Sequence, residues 1–316
     1  MSVTNLSFRP YLRVEVIHLT NLGDLVVRKS YGGDVTFRVE SIQRNEAMIK
    51  GTEFRLLADA PLHDLVKVDP ASPTEKAKRA RIKATESLKR LHRDRQEQTE
   101  RNQASLSQLW YAQSEPSYFE VPGKVLHLDG DERYLKKSLD LYEKLRVPAH
   151  GYYVTESQMA SALYRLLPGI RPDIVVITGH DGVLKNRPQA DLYNLSSYKN
   201  SSHFVEAVQA ARQYERNFDA LTVVAGACQS HFEALLQAGA NFASSPSRVL
   251  IHALDPVYIA AKVSFTSIRD TINMMDILNN TISGTQGVGG IETRGSYRIG
   301  LPKLKDLSTL KVVPSM

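Results

Sequence analysis

Asp173-Ile-Val-Val-Ile-Thr178-Gly-His180-Asp-Gly182 and Leu221-Thr-Val-Val-Ala-Gly-Ala227-Cys228-Gln-Ser230 are two nearly continuous apolar runs that stop at small and polar residues. Each is too short for a buried helix, and neither alternates in the manner of a strand with one wet face. Both fit strands buried on two faces of a parallel sheet. The surrounding pattern agrees. Lys124 to Leu128 and His150 to Val154 read as further strands, and Arg248 to Leu254 as another. Helical stretches run over Glu132 to Leu145, Ser157 to Leu167, His203 to Arg216, Phe232 to Ala238, Val257 to Lys262 and Arg269 to Asn279. Strands interleaved with helices predict a doubly wound α/β domain over residues 122–316. Thr155-x-x-Gln158 and Ser230-x-x-Glu233 match the capping box and mark two strand-to-helix junctions. Sites in such sheets form at the carboxyl ends of the strands.

Residues 1–70 read differently. Leu12 to His18, Asp24 to Arg28, Val35 to Ile42 and Ala47 to Leu57 give short alternating strands separated by Gly23-Asp24, Gly32-Gly33 and Arg44-Asn45 turns. Their number and length suggest a small SH3-like β-barrel. Between the two units, residues 71–121 form a linker. It carries no Pro or Gly from Glu75 to Trp110 and is rich in good helix formers, which predicts a long, solvated connecting helix. The chain's net charge of +6 comes from 40 Lys+Arg against 34 Asp+Glu. Ten Lys+Arg and five Asp+Glu fall between Glu75 and Arg101, so +5 of the +6 belongs to that helix. A nucleic-acid module built on the barrel and the basic helix is one reading of this charge. The remainder is nearly neutral, which makes a nucleic-acid partner an unfavoured expectation. Mean hydropathy is −0.29, and neither an apolar run of membrane length nor a signal-peptide core occurs.

The strand ends carry the chemistry. With one cysteine among 316 residues, no intramolecular disulfide can form, and the spacing of a zinc site is absent. Cys228 follows its apolar run instead of sitting inside it, and His180 ends the other run between two glycines. An adjacent imidazole raises the thiolate fraction of a thiol and can return a proton to a leaving amine. Backbone N–H groups at Asp181, Gly182 and Cys228 are candidate oxyanion donors. His231 is a rival base, placed just inside a helix. A third strand end, Asp129-Gly130-Asp131, also fits an Asp-x-Asp phosphohydrolase, with Thr178 and Lys185 as further parts. That scheme lacks its last acidic pair, since Ala225-Gly226-Ala227-Cys228 stands there. Gly287-Val288-Gly289-Gly290 reads as a turn and not as a phosphate loop.

The His-Gly and Ala-Cys strand ends resemble the caspase, clostripain and gingipain clan of cysteine peptidases, with Asp181 interposed before Gly182. More extensively, the chain resembles the YabG sporulation-specific protease family. The likeness rests on residues 24–31, 123–132, 176–181, 225–233, 240–249, 251–258 and 289–295, among them Ala-Gly-Ala-Cys-Gln-Ser-His-Phe-Glu and Gly-Gly-Ile-Glu-Thr-Arg-Gly. The resemblance implies a caspase-like catalytic domain and a cofactor-free thiol endopeptidase, with Cys228 and His180 as the dyad. It further implies cleavage after basic residues, chiefly Arg, of spore coat and morphogenetic proteins and of germination precursors, in the mother-cell cytoplasm and the spore coat. A substrate Arg calls for a carboxylate partner. Asp129, Asp131 and Asp255 follow strands on the active rim and are the candidates. Many basic residues from Lys76 to Arg95 on an exposed helix predict autolysis there.

Overall fold

The computed structural model describes residues 20–69, 71, 73–109, 118–184 and 192–301. The predicted strand at Leu12 to His18 and the position of Lys185 lie outside them.

Five short strands come first: β1 (Leu25–Arg28), β2 (Phe37–Gln43), β3 (Glu46–Gly51), β4 (Leu57–Pro61) and β5 (Leu65–Lys67). They pair antiparallel in the order β4-β3-β2-β1-β5. Val26, Phe37, Val39, Ala47, Ile49 and Ala60 supply a small core of their own. The sequence reads Ala47 to Leu57 as one strand. The structure breaks it after Gly51, where the backbone passes so close to the Phe54 carbonyl that a Cβ would lie 2.3 Å from it. The connection Thr52 to Leu56 leaves the sheet and reaches across to the second domain.

Helix α1 (Glu75–Leu109) follows, then β6 (Phe119–Val121). The α/β domain continues through β7 (Val125–Asp129), α2 (Glu132–Leu145), β8 (Ala149–Tyr153), α3 (Met159–Ile170), β9 (Ile174–Thr178), α4 (Ser201–Tyr214), β10 (Thr222–Ala225), α5 (Phe232–Gln237) and β11 (Phe242–Ser244). It closes with α6 (Asp255–Phe265), β12 (Thr271–Ile272), α7 (Met274–Asn280), α8 (Gly284–Gly287), β13 (Val288–Gly290), β14 (Thr293–Arg294) and β15 (Arg298–Gly300). The main sheet has six strands in the order β13-β11-β10-β9-β7-β8. All of its pairings are parallel except the edge contact of β13 with β11.

Successive strand residues point to opposite faces. Val125, Ile174, Val176, Val224 and Phe242 pack on one side with α6, α7 and the inner residues of α2. Leu126, Leu128, Val175, Ile177 and Val223 pack on the other with α3, α4 and α5. Each fully buried aliphatic side chain of this kind stabilises the fold by about 1.5–3 kcal/mol.

Four local expectations are corrected. Residues 248–254, read as a strand, form none beyond the single bridge of His252 with Phe54, so Asp255 opens α6 without a strand before it. The connecting helix is docked: Ala80 and Leu91 are buried in the core shared with α6 and α7, and Asp94 pairs with Lys262 at 2.6 Å. A thin stripe of small and apolar residues suffices because the partner helices bring the apolar surface. Gly287-Val288-Gly289-Gly290 is not a turn but leads into β13, where a Cβ on Gly290 would strike the Asn241 carbonyl at 2.2 Å. Neither capping box forms. Thr155 makes no side-chain cap, and α5 is capped by His231 because Ser230 is engaged elsewhere.

Candidate active site

The register of β9 and β10 sets the site. Ile177 pairs with Ala225, an offset of 48 residues (225 − 177), and Cys228 stands off from His180 by the same 48 (228 − 180). Each stands three residues past this pair, beyond the ends of neighbouring strands about 4.8 Å apart. On the other side of β9, Asp129 ends β7 opposite Thr178. The chain order reverses at β7, which has β8 on one flank and β9 on the other. Ligands of open α/β sheets bind in the crevice at such a switch point.

His180 is held from two directions. Its Nε2 lies 2.7 Å from Asp131 Oδ2, and its backbone N–H donates to Glu156 Oε1 at 2.8 Å. Nδ1 is buried and has no hydrogen-bond partner. With the proton on Nε2 facing the carboxylate, Nδ1 carries the lone pair. Asp131 caps α2 through the N–H groups of Arg133 and Tyr134 and also takes Lys50 Nζ at 2.7 Å. Burial opposes its charge, but the His180 and Lys50 hydrogen bonds outweigh this and hold it well below the usual carboxylate range. Gly130 and Gly179 make room for Glu156, whose carboxylate oxygen would be 2.3 and 2.5 Å from a Cβ at those positions.

Cys228 is completely buried. Its sulfur accepts the Ile251 N–H at 3.2 Å. Burial pushes the thiol up to about 12, against the opposing Ile251 N–H. Gln229, which follows, has φ 55°, so the sulfur sits on a sharp turn at a conformation rare for a non-glycine residue. Gly226 has φ 110°, and a Cβ there would meet Leu235 at 2.9 Å. Asp181 ties the two loops together. It accepts from Gly182 N (2.9 Å), Asn200 N (2.8 Å), the Ser201 hydroxyl and Ser230 Oγ (2.9 Å), while Ser230 Oγ accepts from Ala227 N at 2.9 Å. Burial raises the Asp181 carboxyl in spite of these donors. The Gly182 N–H is thus engaged by the Asp181 side chain. His231 faces away, with Nδ1 on Ala234 N and Nε2 against the Tyr193 carbonyl.

The three acids predicted to meet a substrate Arg sit in different surroundings. Asp255 accepts the N–H groups of Ile282 (2.6 Å) and Ser283 (3.2 Å) and is fully buried. Asp131 belongs to the His180 cluster. Asp129 forms a bidentate pair with Arg55 at 2.9 and 2.8 Å, both side chains being fully buried. Burial opposes the Asp129 charge, but the Arg55 charge and the His127 hydrogen bond bring its carboxyl down to about 2. Cationic side chains therefore occupy Asp129 and Asp131, the two acids of the phosphohydrolase scheme. Among the described residues no group of three or more His, Cys, Asp or Glu is arranged to hold a metal.

A model of the YabG peptidase U57 family matches residues 21–302, from β1 through the last strand. The chain belongs to this family. It is also 48% identical over 286 residues to the sporulation-specific protease YabG of Bacillus subtilis strain 168, covering 89% of this chain and 97% of that protein. No solved structure matches it. This member of the family is accordingly a protease with a parallel-sheet α/β domain, and among its described residues no helix is long and apolar enough to cross a membrane.

Four residues at the peptidase's site escape sequence reasoning. Glu156 sits between β7 and β9 ends, and the only sequence trace is the glycine at both 130 and 179. Lys50, Arg55 and Tyr134 come from distant parts of the chain, and no spacing rule connects them to His180 or Cys228.

Proposed function

We propose that this peptidase cleaves peptide bonds through an acyl-enzyme on Cys228, with His180 as proton shuttle and Asp131 as the carboxylate that orients it. The observation that supports the reading is the register of β9 and β10, which pairs Ile177 with Ala225, three residues before His180 and three before Cys228. With Nε2 engaged by Asp131, Nδ1 of His180 is the ring atom free to take the thiol proton. The thiolate attacks the scissile carbonyl, and the C–S bond forms as the carbonyl π electrons move to oxygen. Backbone N–H groups at Asp181, Gly182 or Cys228 stabilise that oxyanion, with Gly182 first having to release Asp181. Collapse breaks the C–N bond, the leaving nitrogen takes the proton from His180, and water, deprotonated by the same imidazole, releases the acid.

We further propose preference for Arg, with Asp129 as the most suitable of the three acids, since it already holds a guanidinium in bidentate geometry. Spore coat and morphogenetic proteins, and precursors of germination proteins, are the proposed substrates, met in the mother cell and the coat. The name of the Bacillus subtilis relative supports a sporulation role. A caspase-like catalytic domain and an SH3-like barrel remain the proposed fold readings of the two sheets. Autolysis between Lys76 and Arg95 stays part of the reading, but it requires local unwinding of α1, which docks there.

Purified protein is incubated with an Arg-containing coat protein beside Cys228→Ala and His180→Ala variants, with EDTA in a parallel tube. Loss of cleavage in both variants and indifference to EDTA support the reading. Activity that persists without Cys228 contradicts it.

A further inference from the structure

The connection between β3 and β4 lies in the site itself. Glu53, Phe54 and Arg55 run antiparallel to Ile251, His252 and Ala253: the Ala253 N–H donates to Glu53 O at 2.8 Å, the Arg55 N–H donates to Ile251 O at 3.3 Å, and Phe54 bridges His252. This is the way an extended peptide adds to a free edge, with backbone bonds fixing register and alternate side chains entering pockets. Ile251 is the residue whose N–H bonds the Cys228 sulfur, and the Arg55 N–H lies against the same sulfur. Arg55 is fully buried. Beyond the Asp129 pair, its Nε and Nη2 each donate to Ala253 O at 3.2 Å, and its guanidinium stacks 4.9 Å over the Tyr134 ring. The Tyr134 hydroxyl reaches the carbonyls of Gly51 and Phe54.

An internal ion pair that only holds two domains together is a poor stabiliser, since desolvating both charges offsets most of their attraction. Here the pair sits at the switch point, on a segment in the extended form of a bound peptide, beside a sulfur that no external peptide can reach while it stays. We propose that Glu53-Phe54-Arg55 is an internal substrate mimic that keeps the site closed, with Arg55 in the specificity pocket formed by Asp129, so that the peptidase is latent until this segment withdraws. The inference rests on the cysteine-peptidase reading above and names how that site is regulated.

The test compares full-length wild type, Arg55→Lys and Arg55→Ala for two rates: alkylation of Cys228 by iodoacetamide and hydrolysis of a short peptidyl-arginine amide. A tethered segment acts at an effective concentration in the millimolar range. Removing its guanidinium therefore raises both rates, by about tenfold or more, with Lys intermediate. A truncated side chain at 55 can also unfold the protein. A second full-length form therefore carries a cleavage site for an unrelated protease after Asp69 and is measured before and after cutting, with every residue of both domains unchanged. Higher rates after cutting, or in a folded Arg55→Ala, support occlusion. Equal rates in wild type and in both altered forms overturn it, whatever the fate of the peptidase reading. Faster alkylation without hydrolysis in any form supports occlusion and instead counts against Cys228 as the peptidase nucleophile.

Discussion

At the scale of single residues, Asp131 is where sequence and structure part most clearly. It stands in the sequence as one of three acids suited to a substrate guanidinium. The structure places its Oδ2 on both His180 and Lys50, a role invisible in sequence because Lys50 belongs to the other domain. Asp131→Asn is predicted to keep substrate binding while lowering kcat by about 10²- to 10⁴-fold, as expected when an imidazole loses the carboxylate that fixes its tautomer. A merely structural role would leave the shape of the pH–rate profile unchanged, so the profile of the variant is the check, and the prediction is a displaced acidic limb. Asp129 yields a different test. Its folded carboxyl titrates at about 2 against an ordinary 3.8. The stability this carries is full above pH 4 and is lost as pH falls through about 2, amounting to about 2 kcal/mol at most. Urea unfolding between pH 6 and pH 2.5 is predicted to fall less steeply with acid in Asp129→Asn than in wild type, although the variant is weaker throughout because Arg55 is left unpaired.

Among the elements, α1 tests how far a helix can be read from composition. Its length and limits are legible, since 35 residues without Pro or Gly follow a Thr-capped start. Its docking is not, because its apolar stripe is thin and the matching surface is built by α6 and α7, far along the chain. Leu91→Ala is predicted to destabilise the protein by about 2–3 kcal/mol, the cost of a core cavity, whereas Ile82→Ala, at a position 59% exposed, changes stability by less than about 0.5 kcal/mol. Denaturant midpoints at constant slope measure both. A solvated helix would make the two substitutions equivalent. The β9 and β10 strands are the opposite case. Their continuous apolar runs are the strongest signal in the sequence, and the parallel pairing of β9 with β10 is the pattern they predict. Ser230 shows the limit: it reads as a helix cap, but a buried carboxylate at Asp181 recruits it, and a neighbour in another loop is not encoded in local spacing.

For the whole molecule, the α/β layering follows from the sequence, while the join between the two sheets does not. That join, through Lys50, Arg55 and Tyr134, brings the small N-terminal sheet against the proposed site instead of leaving it an appended module. The +5 carried by residues 75–101 sits on a helix packed against α6 and α7, so it reads as the outer face of a docked strut. The peptidase chemistry itself is most directly examined by trapping the covalent intermediate. The protein is treated with a peptidyl-arginine acyloxymethyl ketone, digested, and the adduct located by mass spectrometry. The prediction is a single adduct on Cys228, faster in Arg55→Ala than in wild type, strongly slowed in His180→Ala and absent in Cys228→Ala. An active preparation that hydrolyses Arg substrates while leaving Cys228 unlabelled, or that remains active as Cys228→Ala, would contradict it.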